Sequence, residues 1–222
     1  RLFETGLRFM PGESLAQTPM LGLLLCGRRM PEGWSSNAAS VDFYDMKGEI
    51  EALLQAVDQR LTFRSAVRPG LHDGQTAEIL LGDEVVGVMG RLHPSAAKTM
   101  NLPEHTLVAE LALASVVGRA LPDYQDISKF PEVRRDIAVI VNRETPSASV
   151  LDIARASAGA ALADARIFDV YEGDGVAENA KSLAIGLTFR DQSRTLTDEE
   201  INESLSQVIE SLGEKLGATL RH

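Results

Sequence analysis

The sequence predicts an α+β protein of two modules, a mixed α/β assembly followed by a βαββαβ domain. Runs of strand length alternate with helix-spaced segments along its 222 residues. The stretch ALPDYQDISKFP, with two prolines and few apolar side chains, interrupts this alternation and is typical of a linker. After it, the segments follow the order of a split ferredoxin-like unit. We place the modules at 1–120 and 128–222, joined by a linker at 121–127.

Composition limits the function classes. The chain has 44% hydrophobic residues and a net charge of −10, which disfavours a nucleic-acid coat but still allows RNA binding through a local basic patch. It has no apolar run long enough to span a membrane. Cys26 is its only cysteine, so an internal disulfide is excluded and a reducing, cytoplasmic location is favoured. Because the chain opens at Arg1 within a strand-like segment, we expect a piece of a longer protein.

The first module alternates strands and helices. A helix is predicted at 41–57. The strands predicted at 76–82 and 85–92 should form a hairpin with a tight turn at Gly82 and Asp83. A short helix is expected near 95–101. Strands are predicted in LFETGLRF near the start and at 21–27, 61–67, 76–82, 85–92 and 106–113.

The second module has clearer boundaries. A strand at 136–141 precedes a helix that we predict to be capped by Thr145 and to stop at Gly159. A second helix should begin at the capping box of Thr197 and Glu200 and end at Gly217. Strands are predicted at 165–173 and 181–189, with a short last strand in ATLR. Both helices then cover one face of a four-stranded antiparallel sheet.

Alternation along the strands predicts what lies on the uncovered face. Small or polar residues should line it at Ser182, Ala184, Gly186 and Thr188. On the neighbouring strand, Phe168 and Val170 are expected in the core, which puts Ile167, Asp169 and Tyr171 on the open face. An aromatic ring and a carboxylate above small residues could stack and read a base. The alternative is a face covered by another domain, with Tyr171 at its rim.

The segments SKFPEVRRDIAV, FDVYEG, KSLAIGLTF and SRTLTDEE resemble, in order and spacing, the ferredoxin-like anticodon-binding domain of the bacterial phenylalanyl-tRNA synthetase β subunit. VDFYDMKGEIEALL, RPGLHDGQTAEILL and VGVMGRLHP resemble the class II synthetase-like core that precedes it in that family. The resemblance implies a catalytically silent core that contacts an α subunit in an α2β2 enzyme, with ATP and Mg²⁺ used by the whole enzyme and no cofactor in this part.

The residues agree with a silent core. A class II ATP site needs two arginines and a glycine-rich strand to offset the charge of adenylate formation. Arg8 is a lone candidate for one arginine. Gly87, Gly90 and Arg91 form a Gly-x-x-Gly-Arg that runs into a Leu-His-Pro turn, which favours a structural hairpin. We therefore predict no catalytic residue. The four histidines lack metal-ligand spacing, and no metal site is expected.

The same resemblance assigns the base-contacting residues, and the positions of the basic residues suggest the phosphate contacts. Asp169, Tyr171 and Ser182 inherit contacts to anticodon bases of tRNA(Phe). The residues expected to contact phosphate are basic and lie near the strand ends: Lys129, Arg134, Arg135, Lys181 and Arg194. Alternation sends Arg134 and Arg135 to opposite faces, so either one could instead pair with Asp136 or another carboxylate.

Two other functions remain open at this point. A ferredoxin-like regulatory module that senses a small molecule would favour a glycine-rich turn after the first strand, whereas this chain has VNRETPSAS there. An active class II ligase would need the arginine and glycine pattern that is missing here.

Overall fold

The computed structural model describes residues 1–12, 15–34, 38–55, 57, 60–117, 124 and 128–221. The chain divides into two compact units, Arg1–Asp123 and Tyr124–His222. Apart from Tyr124, the linker predicted at 121–127 lies outside the described residues. Over the described ranges, every helix is too short or too polar to cross a membrane.

The first unit contains a six-stranded sheet. Its strands are β1 (Leu2–Met10), β2 (Ala16–Leu25), β3 (Leu61–Ser65), β4 (Leu71–Leu81), β5 (Glu84–Leu92) and β6 (Leu107–Ala112). All neighbours are antiparallel, in the order β1-β2-β6-β5-β4-β3. Among the described residues of this unit, three helices accompany the sheet: α1 (Phe43–Leu54), α2 (Pro94–Thr99) and α3 (Leu113–Val117).

Helix α1 covers one face of this sheet. Asp42 caps it, and Asp45 closes a reciprocal capping box by accepting from the Asp42 N–H. Met46, Ile50 and Leu54 recur at helical spacing and are buried against the inward-facing residues of the strands. The helix predicted at 41–57 is confirmed with shorter ends. Helix α3 was not predicted, because five residues carry too little periodicity to detect.

The second unit has the predicted βαββαβ order. Its elements are β7 (Val133–Asn142), α4 (Ser147–Ser157), β8 (Leu162–Tyr171), β9 (Ala180–Phe189), α5 (Asp198–Leu216) and β10 (Thr219–Leu220). The four strands are antiparallel in the order β10-β7-β9-β8. Alternate residues of β7 and β9 form a core with α4 and α5, so both helices lie on one face.

The helix ends follow the predicted capping chemistry in three of four cases. Thr197 and Glu200 form the capping box at the start of α5, and Gly217 ends it with a φ of 62°. Gly159 has a φ of 76° just after α4 and permits the left-handed turn there. The prediction that Thr145 caps α4 is wrong. Pro146 occupies the cap position, and no side-chain hydrogen bond closes that end.

A bulge in β8 corrects the predicted faces of that strand. Ile167 lies opposite Ile185, but the next paired residue is Asp169, opposite Ala184. The extra residue, Phe168, breaks the two-residue alternation. Ile167 therefore packs against the core, while Phe168 is 51% exposed beside Arg134, the reverse of the prediction. Beyond the bulge, Asp169 and Tyr171 lie opposite Ala184 and Ser182 on the open face, as expected.

Candidate nucleic-acid interface

The open face of the second unit has a floor of small side chains. In β9, Leu183, Ile185 and Leu187 are buried toward the helices, as predicted. Between them, Ser182, Ala184 and Gly186 face the other way, and Ala138 of β7 lies opposite Ala184. Larger side chains from the outer strands can therefore extend across the middle of the sheet.

Two such side chains meet above this floor. Tyr171 projects from β8 and Arg221 follows β10, where its N–H donates to the Ala138 carbonyl at 2.9 Å. The Arg221 guanidinium carbon lies 4.4 Å from the centre of the Tyr171 ring, a cation–π arrangement. Together with the small floor and Asp169, they line an open recess of about 400 Å³.

The Tyr171 ring is held in a defined orientation. Its hydroxyl donates to the backbone carbonyl of Asp174 at 3.2 Å. Gly173 lies against the end of the ring, since a Cβ there would be 2.8 Å from the hydroxyl oxygen. The turn after β8 thus leaves 36% of Tyr171 exposed within the recess. The structure brings the three predicted base-contacting residues, Asp169, Tyr171 and Ser182, together here.

Arg134 and Arg135 point to opposite sides of the sheet, as alternation predicts. Arg134 lies opposite Thr188 on the open face and donates from Nε to Asp136 Oδ1 at 2.7 Å. Arg135 lies opposite the buried Leu187 and donates from Nη2 to Asp198 Oδ1, also at 2.7 Å. Because Asp198 is the first residue of α5, Arg135 links the sheet to the helix layer.

Arg194 is also engaged in a structural contact. Two of its nitrogens donate to the two carboxylate oxygens of Glu200, at 2.8 and 2.6 Å. The Glu200 carboxylate also accepts from the Thr197 N–H, which closes the capping box. The hydrogen bonds from Arg194 and the Thr197 backbone lower the pKa of Glu200 from its ordinary 4.5 to about 2. This pair therefore ties the loop before α5 to the helix start.

The two predicted lysines occupy different environments. Lys129 is exposed just before β7. Lys181 lies near the start of β9 opposite the buried Val141, so its register belongs to the helix-facing row. Of the five predicted phosphate contacts, only Arg134 is placed by strand register on the open face itself.

In the first unit, both arginines considered for an ATP site pair with carboxylates. Arg8 donates to Glu110 at 3.0 Å across β1 and β6. Arg91 donates to the Glu104 side chain at 2.9 Å and to its backbone carbonyl at 3.2 Å. Each guanidinium is thus bonded to a carboxylate. In a nucleotide site, the same guanidinium would instead have to contact a phosphate. Within the described ranges, no three His, Cys, Asp or Glu side chains cluster as a metal site would require.

A second recess, of about 420 Å³, lies between the end of α4 and α5. It is where a small-molecule sensor of this fold could hold its ligand. Among its charged lining residues, Arg194 is the cation and is bonded to Glu200, while Asp191 and Glu203 add negative charge. The recess therefore offers little to the carboxylate of an amino acid, which weakens the regulatory alternative.

Sequence reasoning missed three residues of the open face. Arg221 lies about fifty positions from Tyr171 in the sequence and reaches it only because β10 pairs with β7. Phe168 was assigned to the core because a bulge leaves no regular mark in the pattern. Arg166, opposite Gly186, carried no signal beyond its charge.

Comparison with known proteins identifies both units. A family model described as the phenylalanyl tRNA synthetase beta chain CLM domain matches residues 1–113, and one described as a ferredoxin-fold anticodon binding domain matches residues 128–221. The phenylalanine–tRNA ligase beta subunits of Hahella chejuensis and Pasteurella multocida are 46% and 40% identical over 222 and 227 residues, respectively. These alignments cover 100% of this chain but only 28% and 29% of the relatives.

Proposed function

Because this chain belongs to the phenylalanyl-tRNA synthetase β-chain family, we propose that the open face of its second unit binds the anticodon region of tRNA(Phe). Asp169, Tyr171 and Ser182 contact the bases. The observation that carries this proposal is the recess in which these three side chains converge beside Arg221. A base stacks on the exposed part of Tyr171, and the carboxylate and hydroxyl accept or donate hydrogen bonds at its edge.

Arg221 is an additional contact in this proposal. Its guanidinium occupies the space above Tyr171, so a base that stacks there meets it directly. Guanidinium groups stack on aromatic rings and donate several hydrogen bonds in one plane. Arg221 therefore covers the tyrosine before RNA binds and contacts the RNA afterwards.

Phosphate contacts come from a smaller set than the sequence suggested. Lys129 is exposed near the strand ends, and Arg134 lies on the open face. Arg135 and Arg194 hold α5 in place through Asp198 and Glu200, so we assign them a structural role. Lys181, in the helix-facing row, is the weakest of the five candidates.

We also propose that the first unit is a catalytically silent module that supports assembly with an α subunit in an α2β2 ligase of the cytoplasm. The paired states of Arg8 and Arg91 support a silent module. Phenylalanine activation, with its ATP and Mg²⁺, then belongs to the whole enzyme. This chain supplies tRNA recognition and a surface for the catalytic partner.

Binding to an anticodon stem-loop of tRNA(Phe) tests the proposal. The 222-residue chain is mixed with the labelled stem-loop and with a stem-loop whose loop sequence is scrambled. We expect an electrophoretic shift at lower protein concentration with the cognate loop. Equal shifts with both loops would contradict the proposal, because they would show that the chain binds RNA phosphates without reading the loop sequence.

A further inference from the structure

We propose that Phe168, Arg134 and Arg166 form a second nucleotide-binding position on the open face, beside the one at Tyr171. The inference rests on the proposed function, because it assumes that single-stranded RNA crosses this face. Its ligand is a neighbouring nucleotide of the same strand, with the base on the aromatic side and the phosphate on Arg166.

The bulge in β8 creates this position. Alternation counted back from Tyr171 and Asp169 would place Phe168 on the core face. The extra residue instead lets Phe168 and Asp169, which are consecutive, both face outward, and 51% of Phe168 is exposed. Bulges that re-aim a side chain are over-represented beside functional sites. Exposing a large aromatic ring forgoes the gain from burying it, so a ligand that covers the ring is the use that fits.

Arg134 lies over this ring. Its guanidinium carbon lies 5.2 Å from the centre of the Phe168 ring, and its Nε is fixed by Asp136 at 2.7 Å. Gly186 makes room for it, since a Cβ there would lie 2.9 Å from the Arg134 Nη2 atom. The guanidinium thus covers part of the phenylalanine ring, as Arg221 covers Tyr171, and both are planar groups of the kind that stack with bases of any sequence.

Arg166 provides a cation next to this ring. It is exposed, lies opposite Gly186, and precedes Phe168 by two residues on the same strand. Its side chain makes no hydrogen bond or ion pair with any residue that the structure describes. Because Arg134 shares its guanidinium with Asp136 and the Phe168 ring, Arg166 is the better placed of the two arginines for the phosphate of this nucleotide.

The spacing separates the two positions. Because Phe168 is the extra residue of the bulge, it lies between two and three ladder steps from Tyr171, which corresponds to roughly 7–10 Å along the strand. One base cannot cover both rings, but two bases of one single strand can. The proposed position therefore adds a nucleotide to the contact and leaves the recess at Tyr171 unchanged.

The test compares Phe168→Ala with Val170→Ala by fluorescence anisotropy, using the full chain and the cognate stem-loop. Val170 is a matched control, because it is 55% exposed on the same strand but lies opposite the buried Leu183. We expect Phe168→Ala to weaken binding by about 5- to 150-fold and Val170→Ala to leave it unchanged. Phe168→Leu, which keeps apolar bulk without a ring, should weaken binding as well.

Two further arms identify the contact. The second position predicts that Phe168 and Tyr171 contact different bases. Stem-loops that each lack one base should therefore include one to which Phe168→Ala binds as tightly as the parent, and a different one to which Tyr171→Ala does. Arg166→Ala should reduce the slope of log affinity against log salt concentration by about 1, the value for one lost phosphate contact. Lys215→Ala on α5 should leave this slope unchanged.

The outcomes separate this inference from the proposed function. If the parent chain does not prefer the cognate loop, the proposed function is wrong, and this inference, which depends on it, is wrong as well. If the parent binds and Tyr171→Ala weakens binding, but Phe168→Ala and Phe168→Leu match Val170→Ala, only the second position is overturned.

Discussion

The guanidinium carbon of Arg221 lies 4.4 Å from the centre of the Tyr171 ring, although the two residues come from opposite edges of the second sheet. The small side chains of Ala138, Ala184 and Ser182 between them make this contact feasible. The arrangement gives the open face an aromatic ring and a cation at one point, where a nucleotide can use both.

Replacing Arg221 should therefore weaken RNA binding without loss of the fold. A cation–π contact between Arg221 and the bound base should contribute about 0.5–1 kcal/mol, so Arg221→Ala should reduce affinity for the cognate loop about 2- to 5-fold. Anisotropy titrations of Arg221→Ala and Arg221→Lys measure this. An affinity of Arg221→Ala equal to that of the parent would remove Arg221 from the site.

Two glycines should respond differently to alanine. At Gly87, a Cβ would lie 2.5 Å from the Glu110 backbone oxygen, which cannot move aside without breaking the ladder. Gly87→Ala should cost about 1–3 kcal/mol or more of unfolding free energy. At Gly186, the obstructing atoms belong to the Arg134 guanidinium, which can swing away. Gly186→Ala should cost less than about 1 kcal/mol.

Urea unfolding of both glycine variants checks this difference, and anisotropy adds a functional readout. Because Gly186→Ala displaces Arg134, it should weaken RNA binding while stability stays close to that of the parent. Equal destabilisation by the two substitutions would show that Arg134 is not free to move.

Acid should weaken the start of α5. The Arg194 and Thr197 hydrogen bonds lower the pKa of Glu200 to about 2, below its ordinary 4.5. The folded state then keeps the carboxylate charged while the unfolded chain takes up a proton. This contribution to stability is fully present above pH 4.5 and is lost as the pH falls to about 2. Glu200→Gln lacks it at every pH.

Thermal unfolding of the parent and of Glu200→Gln across this pH range checks the link between Glu200 protonation and stability. The parent should lose more stability than Glu200→Gln between pH about 4.5 and about 2, and the two should converge at the acid end. Parallel pH profiles would mean that the Glu200 pair contributes nothing to folding.

The chain by itself should not activate phenylalanine. Arg8 and Arg91 are bonded to Glu110 and Glu104, so neither is free to offset charge on a nucleotide. Phenylalanine-dependent pyrophosphate exchange should match that of a mock preparation. Exchange that persists through purification and is lost in Arg8→Ala would assign this unit an active site.

The sequence was sufficient wherever local rules decide the structure. The capping box at Thr197, the stop at Gly217 and the buried row from Leu183 to Phe189 all follow from patterns within a few residues. The open-face placement of Asp169, Tyr171 and Ser182 followed from the alternation and from the family resemblance together.

The errors arose where the structure depends on pairing between distant segments. A single extra residue at Phe168 exchanges the faces of Phe168 and Ile167, and it is visible only in the register with β9. Arg221 joins the site through the pairing of β10 with β7. The partners of Arg135 and Arg194 could not be assigned from sequence, because each lies among several carboxylates of the same helix start.

The most direct test of the account is the affinity of Tyr171→Ala for cognate and scrambled anticodon stem-loops, measured beside the parent chain. Loss of one stacking partner typically costs about 1–3 kcal/mol, so we predict affinity for the cognate loop about 5- to 150-fold lower, with the scrambled loop little affected. If Tyr171→Ala folds as the parent does and binds the cognate loop as tightly, the open face does not read the anticodon through this residue, and the central claim is contradicted.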